Sequence, residues 1–148
     1  MRACVVALGG RAFAVEMGCA RELVVIEDYT RVPLAPSSLV GVTNLRGHVL
    51  PLVDIRPLLG LPAHGIGRGS LALVVEADAV QAAIVIEEVL GLSSFDGTRP
   101  RDAAEGQPAG EVGVELLPRG DTPVTLLDTA KILEGLRRGR EKIDERRN

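Results

Sequence analysis

Two cysteines, Cys4 and Cys19, and two histidines, His48 and His64, are the residues of this 148-residue chain that could serve as nucleophile and base. A thiolate needs an imidazole within hydrogen-bond reach and a third group to orient it. The spacing demands no such arrangement, because His48 falls in a turn-like stretch and His64 in a glycine-rich one. A small hydrolase or transferase using Cys4 or Cys19 with His48 is therefore a minor alternative, and no catalytic set is expected. None of the four stands in a CxxC or HxxxH pattern, so neither a metal nor another cofactor is expected. The segment GIGRGS, Gly65–Ser70, has the glycines of a phosphate cradle but not its Gly-Lys-Ser/Thr ending. It leads into an apolar β-prone run instead of a helix, and reads as a linker. Glu87 and Glu88 are adjacent, and neighbours on a strand point to opposite faces, so they do not make an acid–base pair. What remains is Arg46 in GVTNLRGHVLPLVDIR, Gly41–Arg56. It is a long cation in a turn where stability asks only for residues such as Asn44 and Gly47, which tolerate turn backbones.

Composition narrows the function further. Hydrophobic residues make up 46% of the chain, enough to bury a core, yet aromatics are only 2%. Stacking platforms for bases or sugars are nearly absent, and a formal net charge of -3 supplies no general attraction to phosphate backbones. No nucleic-acid partner is expected. Two cysteines fit a reducing compartment better than a disulfide scaffold. The apolar run Cys4–Leu8 is too short for a signal core, and no stretch approaches the roughly 20 apolar residues of a membrane span. The expectation is a soluble, cytoplasmic protein that does not insert into a membrane.

The elements that must position Arg46 read as strands. Ala3–Leu8 and Arg11–Met17 form a hairpin across Gly9-Gly10, and Glu22–Ile26 is the next β-prone run. Pro33 and Pro36 impose an extended passage towards Gly41. Val49–Ile55 is a strand, with Asp54 placed to cap a short helical turn over Arg56–Leu59. After the linker Pro62–Ser70 come Leu71–Glu76 and Val80–Glu87, joined around Asp78. Asp96–Glu111, rich in Pro, Gly and charge, reads as a long exposed loop. Val112–Leu117 and Pro123–Leu127 pair around Arg119-Gly120-Asp121. Asp128 then caps a helix with Ile132, Leu133 and Leu136 on one face. Residues 137–148 read as a charged, solvated tail, leaving 1–136 as one domain.

An internal repeat turns this list into an architecture. VGVTNLRGHVLPLVDIRPLL from Val40 aligns, after a small insertion, with VGVELLPRGDTPVTLLDTAKIL from Val112. Arg46-Gly47 falls on Arg119-Gly120, and Val53-Asp54 on Leu127-Asp128. The upstream runs AFAVEM and AAIVIE also correspond. Two copies half a chain apart imply two related β units of about five strands each, the size of a small closed barrel. The sequence leaves open which strands complete which barrel.

These residues resemble the CheW-like domain of bacterial chemotaxis coupling proteins. The resemblance runs through FAVEM, RELVVI and TRVPLAP, is most specific in GVTNLRGHVLPLVDIRPLLGLP, Gly41–Pro62, and continues through IVIEEVLGL and VTLLDTAKIL. It implies an all-β fold of two SH3-like five-stranded barrels packed side by side, with short helices and a C-terminal helix. It also implies an adaptor, not an enzyme, that binds the regulatory domain of a CheA-type histidine kinase and the cytoplasmic tip of a chemoreceptor. Such an adaptor is cytoplasmic and recruited to membrane-associated receptor arrays. By position, Glu22, Leu23 and Arg46 match residues at or beside the receptor groove, with Ala20 where a larger aliphatic is usual. Leu23 is then either a core residue or an apolar anchor for a receptor helix. The resemblance carries no kinase contact to a named residue. An adaptor of a non-flagellar pathway, or one binding a single partner, is the alternative within the same class.

Overall fold

The computed structural model describes residues 1–33, 35, 37–62, 65–95 and 112–136. Pro36, His64, the loop expected at 96–111 and the tail expected at 137–148 lie outside the described residues. Ten strands are seen: β1 (Arg2–Leu8), β2 (Arg11–Glu16), β3 (Ala20–Val25), β4 (Leu39–Leu45) and β5 (His48–Val53), then β6 (Leu71–Ala77), β7 (Val80–Ile86), β8 (Glu88–Ser94), β9 (Gly113–Leu117) and β10 (Val124–Leu127). A 3-10 turn covers Arg56–Leu59, and a helix, α1, begins at 129 and continues through 136.

The hairpins follow from their turn residues. Gly9 and Gly10 join β1 to β2 at φ 56° and 76°, and Arg46 and Gly47 join β4 to β5 at φ 51° and 87°. Two successive positive φ values define the type I′ turn whose twist matches that of the strands. The third such turn uses Asp78 and Ala79, neither of them glycine, at φ 51° and 63°. Asn44 has the turn role expected of it, its Oδ1 accepting the Gly47 N–H at 3.0 Å.

The strands form two five-stranded sheets, ordered β8-β1-β2-β10-β9 and β3-β6-β7-β5-β4. The first builds barrel A and the second barrel B. The two orders superpose term by term, and each contains one parallel pair, β2 with β10 or β7 with β5. The repeat read from the sequence is therefore a repeat of architecture. The sequence halves are not the barrels, however. Barrel A joins the N-terminal hairpin β1–β2 to the late strands β8, β9 and β10, while barrel B joins β6–β7 to β3, β4 and β5. The halves have exchanged their three-strand portions. β8 is a further departure from the sequence reading, which ran the preceding strand to Glu87 and had no separate strand over Glu88–Ser94.

This exchange explains the continuous apolar runs. Ala3, Val5 and Ala14 fill barrel A with Phe95, Leu117 and Val124. Ala72, Val74, Ala83 and Val85 fill barrel B with Leu50 and Leu52. The alternate residues of the same strands, including Val6, Phe13, Val75 and Ile84, meet in a third core shared by both barrels. A strand buried on both faces must be apolar at every position. The expected face of α1, Ile132, Leu133 and Leu136, closes this shared core. Asp128 caps the helix as expected, Oδ1 accepting the Lys131 N–H at 2.9 Å. Burying each of the larger side chains, such as Phe13 or Leu8, contributes about 1.5–3 kcal/mol.

Gly41 in β4 has no room for a side chain. A Cβ there would lie 2.2 Å from the carbonyl oxygen of Thr30, whose backbone exchanges two hydrogen bonds with Val42 at 2.8 and 2.9 Å. Gly41→Ala is expected to destabilise the protein by about 2–3 kcal/mol, since backbone must move to admit the methyl group. Urea denaturation measures this; a loss under about 0.5 kcal/mol would show that the two segments can separate freely.

Asp54 differs from its expected role. Its Oδ1 accepts the Arg56 N–H at 3.0 Å, but the turn is capped in position by Ile55. The Asp54 carboxylate instead grips the Arg56 guanidinium through Nε at 2.8 Å and Nη2 at 3.0 Å, with both residues buried. These hydrogen bonds raise the Arg56 pKa above its ordinary value, against the desolvation that lowers it. Glu87 lies 4.0 Å from Arg56 Nη1 and accepts the Gly9 N–H at 2.9 Å, tying barrel B to the first hairpin of barrel A.

Candidate functional site

Barrel B is open between its terminal strands. β3 and β4 stand at opposite ends of the strand order, and a groove of about 360 Å³ lies between them. The connection from β3 to β4 closes part of the seam: Thr43 Oγ1 donates to the Asp28 carbonyl at 2.8 Å, and Tyr29 packs into the barrel core. What stays open is walled by Glu22, Leu23 and Val25 of β3 and by Thr43, Leu45 and Arg46 on the other side.

The side chains of β3 alternate. Val24 turns into the barrel core, whereas Leu23 is 48% exposed and Val25 57% exposed on the outward face. Leu23 is thus not core. Two β-branched or γ-branched apolar residues at i and i+2 on an unpaired edge strand are an exposed apolar strip flanked by free backbone groups. Val49, at the start of β5, is 65% exposed. The Glu22 carboxylate accepts from Arg46 Nη2, so the turn between β4 and β5 is latched to β3 across the seam. Arg46 has the left-handed backbone of the turn, which throws its side chain over the groove mouth rather than along a strand face.

Three of the four residues expected at the site, Glu22, Leu23 and Arg46, therefore line one groove. Ala20 does not: it begins β3, pairs with Val75, and packs against the shared core. Val25 and Leu45 join the groove walls without having been singled out. The sequence offers no signal for Val25, because RELVV does not disclose which face of the strand points outward.

Arg119 repeats the latch in barrel A. It lies in the loop 118–123 between β9 and β10, and its Nε donates to Ser93 Oγ of β8 at 3.2 Å. β8 is the counterpart of β3, so both arginines reach the opposite terminal strand of their own barrel. The partners differ in charge, a carboxylate in barrel B and a hydroxyl in barrel A.

The described residues considered for enzyme chemistry lie in different parts of the fold. Cys4 is buried in the shared core, where burial pushes its thiol pKa up, the wrong direction for a nucleophile. Cys19 packs at the edge of the same core, whereas His48 lines the outer wall of barrel B with no cysteine beside it. No group of three or more potential metal ligands occurs among the described residues. No helix of the described residues is long and apolar enough to cross a membrane.

Comparison with known proteins agrees with this fold. Residues 2–137 match the family model described as the CheW-like domain. Protein PilI of Pseudomonas aeruginosa is 34% identical over 88 residues, 60% of this chain and 49% of that protein. The chemotaxis protein CheW of Helicobacter pylori is 34% identical over 55% of this chain and 50% of its own length. The chain thus spans about half the length of these two relatives. The chemotaxis protein CheW of Bacillus subtilis is 23% identical over 86% of this chain and 83% of that protein. The fold is shared with the crystal structure of the scaffolding protein TtCheW from Thermoanaerobacter tengcongensis. There the TM-score is 0.74 and the identity 20%, over 85% of this chain and 87% of the other.

Proposed function

We propose, because this chain belongs to the CheW-like domain family, that it is a scaffold of a chemosensory pathway that couples a chemoreceptor to a CheA-type histidine kinase. Residues 1–136 form the working unit, with 137–148 as an appended charged tail. The scaffold is cytoplasmic and is recruited to receptor arrays at the membrane. The receptor's cytoplasmic tip docks in the groove between β3 and β4, and the kinase's regulatory domain binds elsewhere on the surface.

The observation that carries this reading is the open seam of barrel B, with Leu23 and Val25 exposed beside the Glu22–Arg46 latch. An amphipathic helix can lay an apolar ridge on such a strip. The ion pair at its mouth is exposed, so it opens at little cost and leaves a planar donor fork for carboxylates or helix carbonyls. Ala20, at the start of β3, packs against the shared core and takes no part in this docking.

Titration calorimetry with a receptor-tip fragment and, separately, with a kinase regulatory domain tests the assignment. Binding of both is expected; binding of neither would remove it. A second reading, in which the pathway output is not flagellar or only one partner is engaged, is favoured by the match to PilI alongside the CheW proteins. Binding of one partner alone in the same titrations would select it.

A further inference from the structure

A second recess, of about 250 Å³, shares Glu22, Leu45, Arg46 and Leu50 with the groove. Its polar walls are Arg21 and Glu22 of β3, Arg46 and His48 of the β4–β5 hairpin, and Gln81 of β7. Two of these are engaged with a residue outside the recess. Arg21 is held by Glu76 Oε2 at 2.8 Å, and Gln81 Nε2 donates to Glu76 Oε1 at 3.0 Å. The Arg21 hydrogen bond is the main reason that the Glu76 carboxyl pKa is lowered.

The donors that remain are those nearest the latch. Arg46 uses Nη2 on Glu22, and the rest of its fork has no partner among the described residues. His48 pairs through its backbone with Leu45, and its imidazole makes no side-chain hydrogen bond among the described residues. Arg21 and Gln81 are committed to Glu76, and Glu22 is turned onto Arg46. The groups left uncommitted, the rest of the Arg46 fork and the His48 imidazole, can donate to an acidic side chain.

We propose that this recess is a subsite for an aspartate or glutamate of the partner helix, with His48 a specificity-determining residue. The proposal rests on the reading of the groove as a helix-docking site. The helix places an apolar residue over Leu23 and Val25, and the carboxylate about one helical turn along enters the recess between His48 and Arg46. The groove itself selects for an apolar ridge, and the recess selects the helices that also carry an acid at that spacing.

The test uses the full chain and a receptor-tip fragment in titration calorimetry, comparing His48→Glu and Leu23→Asp with the unaltered protein. His48→Glu is expected to weaken binding about tenfold. Changing the acidic residues of the tip helix one at a time to lysine should identify one that restores binding to His48→Glu. Loss of binding in Leu23→Asp, with His48→Glu within twofold of the unaltered protein, would overturn the subsite and keep the groove. No effect of Leu23→Asp, or no binding by the unaltered protein, would overturn both. Both side chains are exposed, and unchanged thermal melting of each variant separates the effect from folding.

Discussion

Arg46→Glu is expected to weaken binding of a receptor-tip fragment about 100-fold, near 2.7 kcal/mol, while the melting temperature shifts by only a degree or two. The latch is an exposed pair, its side chains 69% and 36% exposed, so its removal takes little from folding. Nor does the backbone discriminate between the two residues, since arginine and glutamate bear the same left-handed strain at φ 51°. Binding suffers on two counts. The donor fork is lost, and a second carboxylate is set against Glu22 at the mouth of the groove. Arg119→Glu is the internal control, because Arg119 occupies the matching position in barrel A and donates to the Ser93 hydroxyl instead of a carboxylate. Its affinity for the tip should stay within twofold of the unaltered protein. Calorimetry and thermal melting of both variants decide the matter: a large fall in melting temperature for Arg46→Glu, or equal losses of affinity for the two, would make the arginine a structural clasp.

Asp54→Ala should cost about 3–5 kcal/mol of stability, the largest effect of any substitution considered. Arg56 is 2% exposed and donates to both oxygens of Asp54, so removing the carboxylate takes two charge-assisted hydrogen bonds from a buried cation. For a chain of this length, that loss lowers the melting temperature by about 10–15 °C. The double variant Asp54→Ala with Arg56→Met should recover much of the loss, because an apolar side chain in that space carries no desolvation penalty. Urea denaturation of the three proteins checks this. Equal stability of Asp54→Ala and the unaltered protein would show that Arg56 has other compensation. Both residues follow β5, whose opposite end carries the Arg46 turn, so the pair also anchors the strand that presents the latch.

Much of this was legible before any coordinates. Gly9-Gly10, the Arg46-Gly47 turn and the cap at Asp128 announce themselves because their chemistry is local: a positive φ, or an N–H three residues on, needs nothing from the rest of the chain. The internal repeat was also legible, and so was the interest of Arg46, which no turn requires. At Asp54 the local logic that holds at Asp128 fails. A carboxylate before a helical turn looks like a cap in both, and only the burial of Arg56 makes Asp54 an ion-pair partner. Strand β8 was missed because Glu87 and Glu88 look like an end, whereas Glu87 is the bend between two strands, accepting a hydrogen bond from Gly9.

The sequence by itself determined that the chain is built of two related β units, that turns lie at Gly9-Gly10 and at Arg46-Gly47, and that a long cation stands where the second of these asks for none. Tertiary structure alone decided that the units exchange their three-strand portions, that Leu23 and Val25 face outward, and that Ala20 turns away from the groove into the shared core. The physical reason is one of range. Turn and cap chemistry is settled within a few residues, but the face of a strand is settled by which distant strand it pairs with, and a run apolar at every position carries no mark of that choice.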